Sequence, residues 1–78
     1  MPRALVFDYS KLRGLIREQG RFQDDVAIAA GMSKSSFNLK INGHFGFKQD
    51  EIICICDVLG IPYDQIHLYF FRVKKDGS

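Results

Sequence analysis

Between Gln23 and Gly43 two short stretches of helical character stand three residues apart, and that spacing restricts the fold of this chain more than any other feature. The first, residues 23–30, opens with Asp24 and Asp25, whose charges suit the positive end of a helix dipole, and stops at Gly31. Ser33 is placed to cap the second, which runs over residues 34–41 and closes at Asn42 and Gly43. Helices joined this tightly must cross steeply. The crossing calls for a small residue, a turn residue tolerant of positive φ, and apolar side chains facing inward. Ala27 is the small residue, Gly31 makes the turn, and Val26, Ala30, Phe37 and Ile41 form the inward set.

The flanks extend the helical pattern. Tyr9, Leu12, Leu15 and Ile16 recur at helical spacing and predict a helix over residues 9–19, with Asp8 as N-cap and Gly20 as stop. After a loop over residues 44–47, Gln49, Asp50 and Glu51 open a fourth helix whose apolar stripe is Ile52, Ile55, Cys56 and Leu59. Gly60 and Pro62 break it, and residues 64–69 suit a short fifth helix. Tyr69, Phe70, Phe71, Arg72 and Val73 have strand-like residue types, as do Leu5, Val6 and Phe7, so the two termini are expected to pair as a small antiparallel ladder. In such a strand Tyr69, Phe71 and Val73 cover the core, and Phe70 is left to pack on the end of the first helix or in a dimer contact. The expected architecture is therefore mainly α: five helices in a single domain over residues 1–78, with a short antiparallel strand pair from the termini.

Several function classes are set aside by composition. A chain of 78 residues has room for one modest core, since at this size only about 60% of the unfolded surface is buried. Cys54 and Cys56 are too few and too close for a disulfide framework, which favours a reducing compartment. On a helix they point about 200° apart and cannot share a metal ion, so Cys56 belongs in the core and Cys54 outside it. His44 and His67 stand singly, and no glycine-rich phosphate loop is present. Neither catalysis nor a cofactor nor a metal is expected. The N-terminus lacks the apolar run of a signal peptide, and no segment is long and apolar enough to span a membrane. The net charge of +2 is uninformative, but no Asp or Glu occurs between Val26 and Gln49, where Lys34, Lys40 and Lys48 lie.

Gln23, Ala27, Gly31, Ser33, Asn42 and Gly43 fall where the lambda-repressor and Cro-like superfamily has its helix-turn-helix landmarks, and residues 23–42 resemble that motif. The flanking segments resemble small Cro-like regulators of phages and prophages of Gram-positive bacteria. The resemblance implies a cytoplasmic, nucleoid-associated transcriptional regulator in a bacterial host, a repressor that binds double-stranded DNA as a homodimer. Its third helix would enter the major groove, where base edges offer distinct donor and acceptor patterns. Carried over, Lys34, Ser35, Asn38 and Leu39 read bases, while Gln23, Lys40, Asn42 and Lys48 hold phosphate. The chain departs from the pattern at Phe22, where a Ser or Thr normally caps the second helix, and at Ile28 and Ala29, which replace polar outward residues. These three residues would form a protein-binding patch, and they support the alternative of an antirepressor that modulates a prophage repressor by binding it.

Overall fold

The computed structural model describes residues 7–73, and within them five helices follow one another: α1 (Ser10–Glu18), α2 (Gln23–Ala29), α3 (Lys34–Ile41), α4 (Gln49–Leu59) and α5 (Ile66–Phe70). A 3₁₀ turn, Tyr63–Gln65, leads into α5. The helices are short because each of the first four is stopped by a closing bond that reaches back five residues. Met32 N–H donates to Ala27 O at 2.8 Å and Gly31 N–H to Ile28 O at 3.0 Å, which is the Schellman closure. Gly31 takes the left-handed φ of 78° that the closure needs. The same long bond ends α1 (Arg21 to Ile16), α3 (His44 to Leu39) and α4 (Ile61 to Cys56).

The inward set behaves as its spacing requires. Val26, Ala27 and Ala30 of the second helical stretch meet Phe37 and Ile41 of α3, and all five are buried. Leu12 and Ile16 of α1 and the stripe Ile52, Ile55, Cys56 and Leu59 of α4 complete that core, so the three-residue connection does bring two apolar faces onto one centre. Ser33 caps α3, its hydroxyl accepting from Ser36 N–H at 3.1 Å. At α1 the N-cap position belongs to Tyr9 rather than Asp8, but the Asp8 carboxylate accepts from the first helical N–H, that of Ser10, at 2.9 Å.

The C-terminal segment departs from the expected strand. Tyr69 and Phe70 belong to α5, and pairing between the chain ends among the described residues comes down to one antiparallel bridge, Phe7 with Val73, and a bond from Asp8 N–H to Arg72 O at 2.7 Å. Leu5 and Val6 lie outside the described residues. The facing is reversed as well: Phe70 is 2% exposed, while Phe71 and Val73 are exposed. Helical rotation is the reason, because it turns Phe70 toward Tyr9 and Phe47 and so carries it into the core. The Phe47 ring stands edge-on to Tyr9 at 5.3 Å, to Phe70 at 5.5 Å and to Phe37 at 5.8 Å. This aromatic cluster ties the start of α1, α3 and α5 together through the loop that precedes α4.

Candidate functional site

Two surfaces of the α2–α3 pair carry the residues that the sequence singles out. On α3, Lys34, Ser35 and Leu39 are exposed and Asn38 is half-buried. Their spacing, three and four residues apart, places them as neighbours on one face, which adjoins that of buried Phe37 and Ile41. Gln23 is half-buried at the start of α2, and Lys48 is exposed ahead of α4. The Asn42 side chain is exposed just beyond α3, its carbonyl oxygen 3.5 Å from Arg13 Nη2.

Lys40 is oriented differently from the phosphate-holding role that the resemblance implies. It is buried, and its ammonium donates to both carboxylate oxygens of Glu51, at 2.6 and 2.7 Å. Glu51 also accepts from the Lys48 backbone N–H at 2.8 Å. Burial acts to raise the Glu51 carboxyl pKa, but the hydrogen bonds from Lys40 and Lys48 and the charges of both lysines outweigh it, so Glu51 titrates below the usual carboxylate range. Lys40 therefore fastens α3 to α4, and its charge is met inside the fold. The acid-free stretch of sequence thus overstates the free positive charge: Glu51, two residues past Gln49, folds back onto it.

Arg13 of α1 is a second fastening of α3. Its guanidinium donates to the Ile41 carbonyl at 3.0 Å, satisfying an oxygen that the helix end leaves open. Its position opposite the apolar stripe of α1 was legible, but its acceptor 28 residues away was not. With Ser33 at one end, Arg13 at the other and Lys40 between them, α3 is held along its length.

The second surface is the outer side of α2. Phe22 is 75% exposed and Ile28 60%, and Ala29 is exposed with them. Phe22 occupies the N-cap position with no side-chain bond to the helix, as expected of a residue with no polar atom to offer. Asp24 and Asp25, four and three residues before Ile28, are exposed too, so the apolar side chains share this face with two carboxylates. Beyond their effect on the helix dipole, the two acids stand at i,i+3 and i,i+4 spacing to Ile28, which is the sequence signal for a joint surface. Farther along the chain, Cys54 is exposed and Cys56 buried, as the helical geometry requires, and burial together with the charge of Asp57 pushes the Cys56 thiol up. No group of three or more His, Cys, Asp or Glu side chains among the described residues is arranged to hold a metal ion, and no helix among them is long and apolar enough to cross a membrane.

The chain belongs to the family of proteins of unknown function DUF739, whose model matches residues 5–73. Among solved structures it is similar to the solution structure of the modulator of repression of the temperate bacteriophage TP901-1 from Lactococcus lactis. The two share 39% sequence identity at a TM-score of 0.71, over 85% of this chain and 89% of that one. No curated protein matches the sequence.

Proposed function

We propose that this chain is a phage or prophage regulator that modulates repression by binding a repressor protein through the outer side of α2, with no catalysis of its own. The observation that carries the reading is the exposure of Phe22, at the N-cap of α2, and of Ile28 on that helix, together with the carboxylates of Asp24 and Asp25. Large apolar side chains left in water at one place mark a protein-binding surface. The two carboxylates work against the competing use of that helix end. In a Cro-like complex the start of the second helix lies against phosphate, and exposed Asp24 and Asp25 would repel it. The likeness to a modulator of repression supports the same choice.

Co-purification with the repressor encoded beside the gene tests this reading. Ile28→Glu is expected to weaken the association by about tenfold or more while leaving the melting temperature nearly unchanged. Full retention of binding would remove α2 from the interface.

A second reading, DNA binding by a Cro-like helix-turn-helix, is favoured by one observation: Lys34, Ser35, Asn38 and Leu39 line an uncovered face of a firmly held helix. A mobility shift with the intergenic DNA flanking the gene, with and without the repressor, separates the two. A shift by the protein alone supports DNA binding, and an effect seen only through the repressor supports modulation.

A further inference from the structure

We propose that this protein self-associates head to tail, the outer side of α2 on one copy seating in the groove between α1 and α5 on another. The inference rests on two surfaces of opposite character on one chain and does not depend on a repressor. The groove is lined by Lys11 of α1, by His67 and Leu68 of α5, and by Phe71 and Arg72 beyond it. Leu68 and Phe71 are exposed apolar side chains, and Phe71 is backed by the Phe7 ring at 6.4 Å, edge to face. The Lys11 ammonium lies over the Tyr69 ring at 5.3 Å, which holds a cation at the rim. No acidic side chain lines the groove; Asp8 stands nearby in the chain, its carboxylate on Ser10 N–H.

The α2 surface is the counterpart in both respects. It offers Phe22 and Ile28 as apolar side chains, and Asp24 and Asp25 where the groove offers Lys11 and Arg72. The neighbouring cation Arg21 is turned onto Gln19 Oε1 at 3.0 Å. An apolar patch bearing carboxylates and an apolar groove bearing cations attract each other, whereas either surface meeting its own copy sets like charges together. The contact is therefore heterologous: each copy keeps one free patch and one free groove, and the assembly grows as a chain of copies. Growth buries the α2 surface, so self-association would compete with any other protein that uses that side.

Sedimentation of the full chain at low salt, up to millimolar concentration, should show a weight-average mass that rises with concentration and falls back as salt is added. Two double variants, each confined to exposed positions and checked for an unchanged melting temperature, test the pairing. Phe22→Ser with Ile28→Lys removes the patch and keeps the groove; Lys11→Glu with Arg72→Glu reverses the groove and keeps the patch. Each alone should sediment as a monomer, and an equimolar mixture should recover a heterodimer that stops at two copies. A wild-type protein that stays monomeric overturns the proposal. So does a mixture that forms no heterodimer, or one variant that still associates with itself, which would mean a symmetric contact.

Discussion

Glu51 shows how one side chain settles what several lysines are for. Two groups, the Lys40 ammonium and the Lys48 backbone N–H, converge on its carboxylate, and removing it leaves the ammonium of a side chain only 11% exposed without that partner. Glu51→Gln is expected to cost about 1 to 3 kcal/mol, the penalty for leaving a buried donor poorly satisfied. The pair also imposes a pH dependence. The carboxyl titrates below its unfolded value, so its contribution is fully present above the usual carboxylate pKa and is lost as pH falls through the folded value. Acid titration of the melting temperature should show this loss in the wild type and a flatter acid limb in Glu51→Gln; equal slopes would mean that the carboxylate is not held by Lys40. Lys34, exposed on α3, has no such partner among the described residues. If α3 reads bases, Lys34→Ala should lose about 1 to 3 kcal/mol on the operator and much less on random DNA. Equal loss on both would make it a phosphate contact, and no loss would leave α3 out of DNA binding.

Among the elements, the α2–α3 connection was the most legible. Gly31 and Ser33 act on the backbone next to them, so their effect needs no knowledge of the rest of the molecule. Gly31→Ala is expected to destabilise by about 1 to 2 kcal/mol, the cost of a Cβ in the left-handed region. That cost is purely conformational, because a Cβ at Gly31 would meet no atom within 4 Å. Denaturant unfolding measures it, and Gly31→Asn should lose less. At α5 the fifth helix was legible, but not that it runs on through Phe70 where a strand was expected. Tyr69, Phe70, Phe71 and Val73 carry β-prone side chains, and in a run this short local propensity is weaker than the gain from burying a whole ring, which a helical turn achieves for Phe70.

In the whole molecule, Phe70 joins the C-terminal end to the core. Truncation after Leu68 takes its ring from the cluster with Tyr9 and Phe47. Loss of a buried Phe side chain costs about 3 to 5 kcal/mol, which is a large part of the stability expected for a domain of this size, about 4 to 12 kcal/mol. The truncated chain should therefore lose its helical circular dichroism at room temperature, and a folded truncation would show that the aromatic cluster is dispensable. Sequence by itself determined the number and order of the helices, their stops and the apolar faces turned inward. Each of these follows from periodicity or from a residue acting on its own backbone. Tertiary structure alone decided the pairing of Lys40 with Glu51, the reach of Arg13 to Ile41, the side of the chain on which Phe70 lies, and the joining of α1 and α5 into a basic groove. Those contacts join residues on different elements, and their partners are set by how the helices pack around a shared core, which no local pattern encodes.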